Sequence, residues 1–280
     1  MSYETIKFEK EAGFCIITLN RPERLNALNG RMWWELDSAL KEIEKDGEIK
    51  VFIFTGAPRP DGRPCFCAGA DLKEMAGAMA GATTVGESTP APPASAAASF
   101  WARRRPRLAT LSPTFENLAW SSKISIAAID GVCTAGGIEL ALSCDIILAA
   151  ETAQISDMHV KNLGWIGGAA AAPNMARRVG VSKAIQLCCT GDIIDGKEAY
   201  RIGLANEVYP SDKLMEGAKE MARKIGSMRL AALTITKAIC RAVEDMDYAS
   251  SWHYCEDAFD VLAGEKEAAD FGPQRWVEKR

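Results

Sequence analysis

The stretch "CTAGGIELALSCD", residues 133–145, sets one carboxylate, Glu139, in a run of Ala, Leu, Ile and Cys, three residues after Gly136. A carboxyl group among apolar neighbours loses solvation of its charged form, so its pKa climbs toward the range in which it exchanges protons at neutral pH. The glycines before it carry a second kind of chemistry. The first N–H groups of a helix have no partner inside it, and a turn without bulky side chains leaves them open to a ligand oxygen. A matching stretch, "CFCAGADLKEM" at 65–75, also follows an apolar run and opens a helical pattern. Two such turns converging on one carbonyl oxygen would stabilise the charge that grows there as the carbonyl becomes an enolate. Each turn alone also reads as a tight strand-to-helix connection, and Glu139 alone as an acid at a helix start.

Periodicity predicts the elements that must hold these turns. "YETIKFE" alternates polar and apolar, and "FCIITL" (14–19) is a second short apolar run, so a hairpin opens the fold. Asn29 is placed to cap a helix in which Met32, Leu36, Leu40 and Ile43 recur at helical spacing, with Gly47 as its stop. Apolar runs at 51–56, 124–131 and 145–150 alternate with helical segments, which predicts an α/β fold with buried strands. Residues 76–99, low in complexity and built of Ala, Gly, Ser, Thr and Pro, predict a surface loop. Segments 182–189, 212–225, 229–245 and 251–264 each carry apolar residues at helical spacing. The expected division is a core over 1–205 and a helical region over 206–280, used for subunit contact.

The whole chain, with 280 residues of which 48% are hydrophobic and 25% charged, can bury a sizeable core. A net charge of −4, with no cationic run beyond Arg103, Arg104, Arg105 and Arg107, argues against a nucleic-acid surface. No segment has the roughly 18 apolar residues of a membrane span, and "MSYETIKFEK" lacks a secretory pattern. Nine cysteines, including Cys15, Cys133, Cys144, Cys188 and Cys189 in apolar runs, read as buried free thiols of a cytoplasmic protein. Cys65 and Cys67 have no partner pair nearby, so no metal site is expected.

Five stretches stand in order along the chain: "NRPERLNAL" (20–28), "CAGADLKEM" (67–75), "GVCTAGGIELALSCDIILAAETAQIS" (131–156), "GLANEVYP" (203–210) and the final "EKEAADFGPQRWVEKR". Together they resemble the enoyl-CoA hydratase/isomerase family, the crotonase superfamily. The resemblance implies a crotonase-like spiral of repeated ββα units with a C-terminal helical trimerisation region, in a homotrimer or dimer of trimers. It implies an acyl-CoA thioester substrate, with coenzyme A as part of that substrate and no further cofactor. Carried over by position, the N–H groups of Ala68 and Gly136 would form the oxyanion hole. Ala70, Asp71 and Leu72 would line the adenine pocket, and Arg24 and Leu25 would flank the CoA tail, with Glu23 where the family often has Lys.

Glu139 falls where hydratases of the family keep a catalytic Glu, and His159 falls where they keep a second one, with Asp157 two residues earlier. An imidazole with a pKa of about 6.5 exchanges protons near neutrality, and it equally holds a carbonyl or hydroxyl by hydrogen bond. Trp101, Trp120 and Trp165, with the small residues Ala169 to Ala172, suggest a roomy acyl pocket suited to a cyclic or aryl group, although tryptophan also serves as plain core. The expected activity is hydration of an enoyl-CoA double bond, or the reverse dehydration. A double-bond isomerase, a carbon–carbon hydrolase of a cyclic ketoacyl-CoA and a non-catalytic acyl-CoA-binding protein are the alternatives.

Overall fold

The computed structural model describes residues 3–81, 113–264 and 277. In chain order its elements are β1 (Ile6–Glu11), β2 (Phe14–Leu19), α1 (Gly30–Lys45), β3 (Val51–Gly56), β4 (Cys65–Cys67), α2 (Leu72–Gly81), α3 (Pro113–Ala119), β5 (Ile124–Ile129), β6 (Val132–Thr134), α4 (Gly136–Ser143), β7 (Ile146–Ala150) and β8 (Gln154–Ser156). They continue with α5 (His159–Leu163), α6 (Ala171–Val179), α7 (Val181–Thr190), α8 (Gly196–Arg201), β9 (Glu207–Tyr209), α9 (Leu214–Gly226), α10 (Leu230–Ala242) and α11 (Tyr248–Gly264).

The alternating first residues do form a hairpin, β1 antiparallel to β2 with Ile6 opposite Leu19. From β2 onward the large sheet is parallel, in the order β1-β2-β3-β5-β7-β9. Its inner strands β2, β3, β5 and β7 are apolar on both faces because both are covered. One face packs under α1, whose Met32, Leu36, Ala39, Leu40 and Ile43 are buried; the other packs under Leu214, Ala218 and Ala222 of α9. Each large apolar side chain so buried contributes roughly 1.5–3 kcal/mol. The Asn29 side chain caps α1 by accepting the Met32 N–H at 2.9 Å. The helix ends at Lys45 because Asp46 turns extended, one residue ahead of Gly47.

A second sheet of three short parallel strands runs in the order β4-β6-β8. The chain visits the two sheets in turn: β3-β4-α2, then β5-β6-α4, then β7-β8-α5, a ββα unit used three times. Three connections to helices therefore leave the same edge of the small sheet. Parallel strands place their C-terminal ends side by side, which is where open α/β sheets present their chemistry.

Three expectations need adjustment. Residues 76–81 lie in α2 and are not part of a loop; the remainder of the 76–99 stretch falls outside the described residues, as do Trp101, the arginines at 103–105 and 107, and all but one of the final sixteen residues. The boundary at 205 cuts the sheet, since β9 pairs with β7 and α9 covers the large sheet. Cys189 is exposed, while Cys15, Cys65, Cys67, Cys133, Cys144 and Cys188 are buried thiols. Among the described residues, no helix is long and apolar enough to cross a membrane.

Candidate active site

The turn after β4 lies against the segment 24–28, and its hydrogen bonds decide which N–H groups remain available. The Ala68 N–H, expected as an oxyanion donor, donates to the Leu25 carbonyl at 3.0 Å. It is spent, because the end of β4 continues pairing with its neighbour. Next in line, Leu28 donates to the Gly69 carbonyl at 2.8 Å and accepts from the Asp71 N–H at 2.9 Å. This parallel bridge engages the groups on both sides of Ala70, so the Ala70 N–H itself points to the opposite side. There it meets α4: a methyl built on Gly136 would lie 3.2 Å from the Ala70 nitrogen. Gly136 opens α4, and its N–H lacks an intrahelical acceptor. Among the described residues neither N–H meets an acceptor. The geometry thus leaves the N–H groups of Ala70 and Gly136 open to a ligand oxygen, where Ala68 and Gly136 were expected. Ala135, before Gly136, holds φ 49° and ψ −119°, a conformation costly for a residue with a Cβ.

The segment 20–28 is locked by residues that sequence reasoning passed over. Arg21 pairs with Asp71 at 3.0 Å and donates to the Ala27 carbonyl at 2.6 Å. The Arg21 hydrogen bond holds the Asp71 carboxyl below its ordinary pKa against the opposing effect of burial. Asn26, fully buried at φ 54°, accepts from the Arg21 N–H and donates to the carbonyls of Ala57 and Cys65. Both stand within "NRPERLNAL", and an asparagine tolerant of positive φ in a turn was the available signal. The thiols of Cys65 and Cys67 also turn to this segment, toward the carbonyls of Leu25 and Asn26. Of the remaining expected CoA contacts, Arg24 is exposed and Leu72 is 49% exposed.

Glu139 sits in the first turn of α4 and is buried. Its Oε1 accepts the Ala169 N–H at 2.9 Å, and its Oε2 lies 3.9 Å from His159 Nε2. Burial raises the Glu139 pKa, opposed by the Ala169 N–H and by His159. His159 opens α5; its Nδ1 is 2.5 Å from Asp157 Oδ1, and the same oxygen accepts the His159 main-chain N–H at 3.1 Å. The bond to Asp157, with the charge of Glu139 adding to it, raises the His159 pKa against the effect of burial. Asp157 is 3% exposed, and although burial pushes its carboxyl up, the hydrogen bonds from His159 hold it below the ordinary value. The three groups arrive from two neighbouring strand ends, β6 and β8.

Gly167 closes over this pair. A methyl built there would fall 2.7 Å from Glu139 Oε1, 2.7 Å from the Ala171 methyl and 3.2 Å from His159 Nδ1. "GWIGG" carried that signal as a glycine cluster beside the catalytic segment. Trp120 and Trp165 are 74% and 50% exposed, so the described residues bury neither in an aromatic-lined pocket.

Comparison with known proteins shows the family. The family description "Enoyl-CoA hydratase/isomerase" matches residues 9–91 and 106–280. A probable enoyl-CoA hydratase of Mycobacterium bovis is 37% identical over 246 residues, covering 87% of this chain and 84% of its own. A short-chain-enoyl-CoA hydratase of Clostridium acetobutylicum is 33% identical over 282 residues, covering 100% of this chain and 97% of its own. The crystal structure of an enoyl-CoA hydratase from Bacillus anthracis superposes with a TM-score of 0.82 at 30% identity, over 99% of this chain and 97% of the other.

Proposed function

The chain belongs to the enoyl-CoA hydratase/isomerase family, and on that premise we propose that it adds water across the double bond of an enoyl-CoA thioester, or removes it in reverse. One observation carries the reading: Glu139 Oε2 and His159 Nε2 face each other at 3.9 Å, too far for a direct hydrogen bond and within the span of one bridging oxygen. Beside them stand the paired N–H groups of Ala70 and Gly136.

The thioester oxygen accepts these two N–H groups. Glu139, as carboxylate, takes a proton from water as the water oxygen bonds to Cβ. The electron pair of the double bond moves toward the carbonyl, and the enolate charge is stabilised where the two donors point. His159, as imidazolium, gives its Nε2 proton to Cα. The product is a 3-hydroxyacyl-CoA, and passage of the proton from Glu139 to His159 resets the site. Proton transfer alone suffices, so coenzyme A enters only as part of the substrate. An isomerase needs one group to move a proton between carbons; two opposed groups support hydration.

Arg24, Leu25, Asp71 and Leu72 we place at the CoA rim, since 24–28 and 68–72 pair directly. For the acyl group we infer a bulky, cyclic or aryl chain, supported by the run of small side chains from Ala169 to Ala172 that follows Gly167. A trimer or dimer of trimers is supported by Trp252, Phe259 and Val261 of α11, all large and exposed. Cytoplasmic placement rests on the free thiols.

The test is incubation with linear, aryl and cyclic enoyl-CoA thioesters in water labelled with heavy oxygen. Gain of one labelled water supports the reading; a product of unchanged mass with a shifted double bond replaces it with isomerisation.

A further inference from the structure

His159 does not stand alone in the site. On the side away from Glu139 its ring meets, among the described residues, one acidic group, Asp157 at 2.5 Å from Nδ1, and Asp157 is itself fixed. The same Oδ1 accepts the main-chain N–H of His159, so the carboxylate and the ring are held by one local turn at the start of α5. Asp157 is 3% exposed and shielded from competing water. The charged and titratable groups facing the ring are Glu139 from α4, Asp157 from the turn before α5, and, behind Asp157, the buried Cys188 thiol of α7.

We propose that Asp157 is the positioning residue of this site, taking the Nδ1 proton of His159 as its hydrogen-bond donor so that Nε2 alone addresses the substrate. The inference rests on the hydration reading only for what the Nε2 proton does next. An imidazole has two nitrogens of which one carries the proton when neutral, and the partner of one nitrogen decides the role of the other. With Asp157 on Nδ1, the ring has one orientation and one neutral tautomer. It also has a negative neighbour that favours its charged form. A second glutamate, the residue expected here by resemblance, needs no such partner. A histidine acting as acid toward Cα does, because without it the ring is free to present either nitrogen and loses its proton at lower pH.

The experiment is a titration of the purified full-length protein with 15N-labelled histidine, followed by NMR. The chain has two histidines, His159 and His253, and a His253→Gln variant assigns them. The wild-type protein above the His159 transition is expected to show the Nδ1–H tautomer; the Nε2–H tautomer overturns the proposal and needs no variant that must fold. In Asp157→Asn, which keeps the shape and removes the charge, the His159 midpoint is expected to fall by roughly one unit or more. The basic limb of kcat/KM moves with it while KM for the acyl-CoA stays within about twofold, and Asp157→Glu restores part of the shift. An unmoved midpoint overturns the proposal. If the tautomer and midpoint behave as expected and no enoyl-CoA is hydrated, the hydration reading falls and the positioning role stands.

Discussion

At the scale of single residues the proposed hydration depends on a proton held by one group and missing from its neighbour. Glu139 must be ionised to take a proton from water, and burial raises its pKa, so activity is lost as pH falls through that raised value. His159 must be protonated to serve Cα, and Asp157 raises its pKa, so activity is lost as pH rises through that value. A bell-shaped kcat/KM profile is expected, both limbs lying above the ordinary carboxylate and imidazole values; a flat profile across the acid limb would remove Glu139 as base. Glu139→Gln should lower kcat about 10²–10⁴-fold, the usual worth of a placed acid or base, measured on whichever enoyl-CoA the labelled-water panel identifies. Gly167→Ala puts a methyl against Glu139 Oε1, so kcat should drop with KM little changed. An unchanged kcat would mean that the loop yields without disturbing the carboxylate. Glu139 was legible in the sequence because an acid in an apolar run has few explanations. The open N–H lies two residues beyond the expected one, at Ala70 in place of Ala68, because which N–H a strand end spends on its neighbour depends on a pairing with Leu25 that spacing does not reveal.

At the scale of elements, α10 is attached through charge. Asp145, at the start of β7, accepts Lys237 Nζ at 2.8 Å and Arg241 at 2.7 Å, and both the N–H and hydroxyl of Ser125 at 2.9 Å. The Lys237 side chain is only 7% exposed; it also donates to the Lys123 carbonyl, and burial lowers its pKa. Removing one partner of such a buried pair leaves a charge with nothing to compensate it, which costs roughly 3–5 kcal/mol. Asp145→Ala should therefore lower stability to urea by that amount, and by clearly less in a Lys237→Met background, where no buried ammonium is left stranded. Equal losses in both backgrounds would show that the pairing is not what attaches the helix. Helical spacing made α10 legible, yet it placed no weight on Lys237, because a lysine on a helix is ordinarily a solvated residue and its burial follows from what the other elements bring to it.

At the scale of the molecule, the large sheet apart from β9 was readable from apolar runs, while β9 and the small sheet were not, because β4, β6, β8 and β9 are three residues each and too short to show a period. Yet the candidate site residues follow those strands, and the large sheet must hold them still. Its outer edge is β1, and the chain entering β1 is fastened by Glu35 of α1. That carboxylate is fully buried and accepts the N–H groups of Glu4 and Thr5 at 3.0 and 2.8 Å, the Thr5 hydroxyl at 2.6 Å and Arg31 at 2.8 Å. Burial alone would raise its pKa; the four donors outweigh it and bring the carboxyl down to about 2. A group depressed in the folded state contributes stability that is present above its unfolded value, about 4.3, and is lost as pH falls toward the folded one. The difference is worth at most about 3 kcal/mol, since each unit corresponds to about 1.4 kcal/mol. Glu35→Gln should thus lower stability at neutral pH and flatten the acid dependence of unfolding below about pH 4, measured by urea titrations at stepped pH. If the variant keeps the wild-type slope in that window, the acid sensitivity of the fold resides in other carboxylates, and the edge strand is held by its backbone ladder and core packing alone.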